Sequence, residues 1–193
     1  MSDAPPVPRH GPAVGEPPLL ADPRRWGSLV GLAGGLLFMI SYSPPLGFAV
    51  AVAAWLLGGA LALAALAAHF VWPVALGPLA RAHPLGLVIY LACVVGEVAL
   101  IVAGTRALTE AGHLDLQPAL IAAVVGLHFV PMRWAFSERM FLVLGGLVAV
   151  LGAVGLAAGL AGVPHAADAL AVLAGLSMLL VGLAYARGRF APA

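Results

Sequence analysis

Glu97 lies inside the apolar run from Leu85 to Gly104. A carboxylate inserted there costs roughly 2.5 to 3.5 kcal/mol and normally faces protein or a water-filled cavity. Stepping along that run by alternate fours and threes puts Gly86, Tyr90, Cys93, Glu97, Leu100 and Gly104 on one stripe. The polar side chains of the run therefore share one helical face, which is expected to turn into a bundle while the Leu, Val and Ile faces meet lipid. His128, in Gly126-Leu127-His128-Phe129-Val130-Pro131, is the expected partner. Pro131 has no amide hydrogen for the carbonyl of Leu127, so the helix is expected to kink or open beside the imidazole. Counting from the helix ends puts Glu97 about 18 Å and His128 about 14 Å from the same membrane face, near enough for a hydrogen bond or one bridging water. Such a pair shares a proton and titrates as a unit. It could serve a proton-linked carrier, or it could simply lock two helices together. Glu97, His128, Tyr90 and Pro131 are the candidate site.

Other chemistry is thinly represented. The single cysteine, Cys93, excludes a disulfide framework and a structural zinc site. Glu110, His113 and Asp115 fall within six residues, but in no order with a coordination rationale, and they suit a solvated loop over 105–117. His69 and His83 flank two spans, where an interfacial position does not suit a buried porphyrin. Asp168 opens the sixth span, where a negative charge complements the helix dipole. Trp55 is expected to pack in mid-helix. Ser28, Ser41, Ser43 and Ser177 lack the neighbours of an activated nucleophile. These residues lend an enzyme activity no support without excluding one, and no cofactor or metal is expected.

The elements that must hold the pair are membrane helices. Of 193 residues 63% are hydrophobic and 9% charged, with a mean hydropathy of +1.07, whereas soluble domains carry about 25% charged residues. Long apolar runs without alternation can hide their backbone from lipid only as helices. The expected fold is all-α, a bundle of six transmembrane helices: Trp26 to Ser43, Leu46 to His69, Leu85 to Gly104, Pro118 to Trp134, Met140 to Gly162 and Pro164 to Ala186. Residues 1–25 form a proline-rich, disordered cytoplasmic tail, 26–187 the membrane domain and 188–193 a short C-terminal tail.

Orientation follows from arginine, the only basic residue besides histidine. Arg9, Arg24, Arg25, Arg81, Arg133, Arg139, Arg187 and Arg189 lie in the tails and even-numbered loops, and Arg106 alone in an odd-numbered one. Eight against one puts both termini in the cytoplasm, and Trp26, Trp72 and Trp134 fall at the same ends. The arginine-only basic set and the Ala, Leu, Gly and Val bias suit a GC-rich bacterium, hence the inner membrane. A net charge of +1 with scattered arginines excludes a nucleic-acid interface.

The bilayer is the expected partner. Gly27, Gly31 and Gly35, and Gly145, Gly152 and Gly159 with Gly155 and Gly162, form small-residue stripes suited to packing within the bundle or to a homo-oligomer. The Gly126 to Pro131 motif, with Arg133 and the glycine-rich fifth span, resembles small bacterial six-span membrane proteins with a Gly-Leu-His-Phe-x-Pro core. That resemblance implies interest in His128 and no particular activity. Six helices are few for a carrier, so a non-catalytic membrane component is the leading expectation and a small proton-linked carrier the alternative.

Overall fold

The computed structural model describes residues 22–76 and 84–191. The described residues form six α-helices: α1 (Pro23–Tyr42), α2 (Phe48–Phe70), α3 (Gly86–Glu110), α4 (Gln117–Phe136), α5 (Arg139–Leu160) and α6 (Ala166–Ala186). Short 3-10 turns, Pro44–Leu46 and Leu114–Leu116, join α1 to α2 and α3 to α4. Five helical segments are long and apolar enough to cross a membrane. The exception is α1, which carries Arg24, Arg25 and Ser28 in its first turns.

Local chemistry sets the helix ends. Asp22 accepts the Arg24 backbone N–H at 2.8 Å and Pro23 occupies the first turn, so α1 starts before the expected Trp26. The tail expected over 1–25 thus gives up its last residues to the fold, and residues 1–21 lie outside the described region. The expected solvated loop over 105–117 is also mostly helix. No breaker precedes Gly112, whose φ of 75° stops α3 while the His113 and Gly112 amides donate to the carbonyls of Leu108 and Thr109. α4 keeps its helical path through Pro131, so the expected opening there is no break in the helix. At the C-terminus, Phe190 folds back onto the core and meets the Tyr185 ring at 6.4 Å.

α6 is the centre of the bundle. Ala171, Ala174, Met178 and Val181 pack with Phe38 of α1, Val125 of α4 and Val148 of α5, while Leu179 and Leu183 pack with Leu32, Met39 and Ala62. Close backbone approaches make this layering dense. A methyl at Gly35 would lie 2.9 Å from the Gly175 carbonyl oxygen, and methyls at Gly126 and Gly152 would run into the backbone of Ala149 and Ala123. The stripe of α5 is therefore used inside the bundle through Gly145, Gly152, Gly155 and Gly159. In α1 only Gly35 of the expected stripe is so used; Gly27 and Gly31 face open space, because α1 meets α6 near Gly175. Trp55, expected to pack, is 44% exposed on the outer side of α2.

Successive helices reverse direction. Arg24 at the start of α1 donates to the carbonyl of Leu76 beyond α2, Gly86 at the start of α3 meets Ala135 near the end of α4, and Tyr185 near the end of α6 reaches Glu138 before α5. α3 is the outlier: it packs on α4 and the turn Leu114–Leu116, and Gly86 is its one buried residue.

Candidate functional site

The stripe read along α3 faces α4. From one end to the other, Gly86 lies against Ala135, the Tyr90 ring stands 6.3 Å from that of Phe136, Glu97 faces His128, Gly104 fits under Leu120, and the Gln117 amide donates to the Thr105 hydroxyl at 3.4 Å. Two members of the same count are exposed, Tyr90 at 40% beside Phe136 and Leu100 at 56% on the outer surface.

His128 Nδ1 lies 3.4 Å from Glu97 Oε2, with 12% and 21% of the two side chains exposed. The oxygen is within ion-pair range but off the donor direction, so Nδ1 makes no hydrogen bond in this arrangement. The two groups together are net neutral whichever carries the proton, which is how a carboxyl and an imidazole can share an apolar layer at tolerable cost. The imidazole lies 4.3 Å from the Phe129 ring in a tilted arrangement, and Phe129, Phe141 and Phe136 continue as an aromatic row to Tyr90. Tyr90 therefore ends that row rather than joining the carboxylate. Pro131 lies one turn beyond His128, where Leu127 lacks its usual backbone donor.

A second polar cluster, at the arginine-bearing end of the bundle, was not legible in the sequence. The Asp22 carboxylate holds the Arg24 guanidinium at 2.8 Å, both side chains being buried. The Tyr185 hydroxyl donates to Glu138 Oε1 at 3.3 Å. Arg25 and His69 are 3% and 2% exposed; the Arg25 guanidinium lies 5.6 Å from the Phe70 ring centre, and the His69 ring 6.4 Å from that of Tyr185. His69 is thus buried rather than interfacial, and Arg24 and Arg25 are packed rather than merely topological charges. The local signal available was Asp-Pro-Arg-Arg, an N-cap followed by a first-turn proline.

Burial pushes the Asp22 carboxyl upward, but hydrogen bonds from the Arg24 side chain and backbone, with the charges of Arg24 and Arg25, outweigh it and hold Asp22 below its ordinary value. Burial raises Glu138, opposed by Arg24 and the Tyr185 hydroxyl. A lowered folded-state value means that Asp22 stabilises fully above the unfolded value of about 3.9 and loses that contribution as pH falls through the folded value. The melting temperature in detergent is expected to fall over this acidic window. Asp22→Asn, which keeps an acceptor for the cap, should cost about 1 kcal/mol at neutral pH and flatten the acidic slope. An unchanged slope in that variant would assign the acid sensitivity elsewhere.

Asp168 lies in the first turn of α6, 3.7 Å from His165 Nδ1. Glu110, His113 and Asp115 are exposed, and no group of three His, Cys, Asp or Glu among the described residues is placed to hold a metal. His83 lies outside the described residues.

Fold and site define a class: an all-helical bundle with five helices fit to cross a membrane and a carboxylate–imidazole contact between two of them. Comparison with protein-family models, curated proteins and solved structures finds no match to this chain.

Proposed function

We propose that the chain is a six-span protein of the bacterial inner membrane, with both termini cytoplasmic, acting as a non-catalytic membrane component in which Glu97 and His128 fasten α3 to α4. The observation that carries this reading is the 3.4 Å contact between those side chains on the helix with the fewest neighbours. Elsewhere α3 presents Leu87, Val88, Leu91, Val95 and Val98 outward, so its attachment rests on one narrow stripe. A buried polar contact adds direction to packing that small residues alone leave loosely specified. Six spans are supported by helices that reverse in turn, and the orientation by Arg24, Arg25, Arg133, Arg139, Arg187 and Arg189, which belong to helix ends on one side.

The incomplete burial of Glu97, 21% of whose side chain is exposed, favours a second reading as a small proton-linked carrier using the same pair. Cysteine labelling separates the two. In a Cys93→Ala background, Arg189→Cys should react with an impermeant maleimide only from the cytoplasm and Glu110→Cys only from outside, while Glu97→Cys reacts from neither. Periplasmic labelling at 189 would overturn the six-span topology. Labelling at 97 from either aqueous side would favour the carrier.

A further inference from the structure

Arg25 is nearly sealed from solvent, yet its Nε has no hydrogen-bond partner and no carboxylate lies within ion-pair distance among the described residues. The nearest acid in sequence, Asp22, is engaged by Arg24 through three side-chain hydrogen bonds of 2.8 to 3.2 Å. His69 Nε2 is likewise buried and unpartnered. Both side chains line one crevice, closed on its other sides by Ala68, Pro73, Val74, Leu76 and Ala186. Asp22 attracts the Arg25 guanidinium only beyond ion-pair distance and the Phe70 ring lies 5.6 Å from it, so a cation this deeply buried, with no hydrogen bond at Nε, remains incompletely compensated for its desolvation. An anion brought to it removes that cost.

We propose that Arg25 and His69 form a binding site for the phosphate of an anionic phospholipid headgroup. The guanidinium fork and the imidazole supply donors suited to phosphate oxygens. Position favours a lipid over a free ion: the crevice lies at the ends of α1, α2 and α6, flanked by Trp26 at 58% and Trp72 at 73% exposure, residues that settle at headgroup depth. Basic pockets between helices at this level hold lipid headgroups. The empty space is about 130 Å³ including its open mouth, too narrow for a water-sized sphere. The phosphate therefore docks at the mouth, against the Arg25 and His69 side chains, while Arg24 holds the Leu76 carbonyl at the crevice wall.

The test uses the full chain, delipidated in a neutral detergent, with melting followed against added phosphatidylglycerol, phosphatidylcholine or inorganic phosphate. Phosphatidylglycerol should raise the melting temperature and the other two should not, and native mass spectrometry should retain phosphatidylglycerol on the wild type. Arg25→Met and His69→Gln should each weaken the phosphatidylglycerol response by about tenfold, while Arg187→Gln, an exposed arginine at the same end, leaves it unchanged. Arg25→Met exchanges a buried cation that lacks a hydrogen bond at Nε for an apolar side chain of similar length, so its lipid-free form should melt close to the wild type and remain measurable. An undiminished response in Arg25→Met, or an equal response to phosphatidylcholine, would overturn the site, and stabilisation by inorganic phosphate equal to that by phosphatidylglycerol would overturn its assignment to lipid.

Discussion

Gly152→Ala should sharply reduce the yield of folded protein and lower its melting temperature in detergent, while the same change at Gly31 leaves both unchanged or slightly improved. Both glycines lie in helix interiors, where alanine is intrinsically better by about 0.5 to 1 kcal/mol. The opposite outcomes come entirely from what the new methyl meets. At Gly152 it runs into the backbone nitrogen and Cα of Ala123 and approaches the carbonyl oxygen of Ala119 at 2.8 Å. None of these atoms can rotate away, so α4 and α5 must separate, and overpacking against rigid neighbours costs about 1 to 3 kcal/mol or more. Gly152→Leu should exceed about 4 kcal/mol and leave little folded protein. At Gly31 nothing stands within 4 Å of the added methyl. Equal melting temperatures for Gly152→Ala and Gly31→Ala would mean that α4 and α5 do not cross at this point. Because Val148, Leu144 and Val125 of the main core sit beside the crossing, its loss should extend through the bundle.

Helices and their polar face were legible in the sequence because each depends on a periodicity that a chain carries locally. The count that grouped Tyr90, Cys93 and Glu97 needs only 3.6 residues per turn, and it brought the right side of α3 to α4. The stretch Thr105 to Glu110 is polar as a loop would be, yet it continues α3, because nothing before Gly112 breaks the helix. Its Thr109 hydroxyl donates to the Thr105 carbonyl one turn back, a bond that the helical spacing itself provides. The neighbours of each helix were not legible. Apolar helices of similar composition give no local sign of which one becomes central, and that α6 rather than α3 does so depends on close approaches such as Gly35 to Gly175. The polar cluster at the arginine-bearing end is not legible for the same reason: Tyr185 and Glu138 are 47 positions apart, and His69 is buried by the end of α6, not by its own sequence surroundings.

Removing either member of the Glu97 and His128 pair is expected to destabilise the protein by about 1 kcal/mol, the loss of an ion-pair-range contact that carries no hydrogen bond but lies among apolar helices. In Glu97→Leu the imidazole keeps Phe129 beside it but loses the carboxylate oxygen at 3.4 Å. In His128→Leu the carboxyl loses its one ion-pair-range neighbour among the described residues and keeps only the Cys93 thiol one turn away on α3. The loss should appear first in α3, whose few contacts make it the element most easily detached. Faster proteolysis or hydrogen exchange between Gly86 and Glu110, ahead of α5 and α6, would display it.

The most direct test of the pair as a fastening between helices is the double-mutant cycle built from these changes, followed by melting or denaturant titration of the full chain in detergent. With both residues replaced by leucine, neither buried group is left behind, so the double variant should be less destabilised than the sum of the single variants by about 1 kcal/mol. Strictly additive losses would show that Glu97 and His128 do not interact, and would contradict their role in holding α3 to α4.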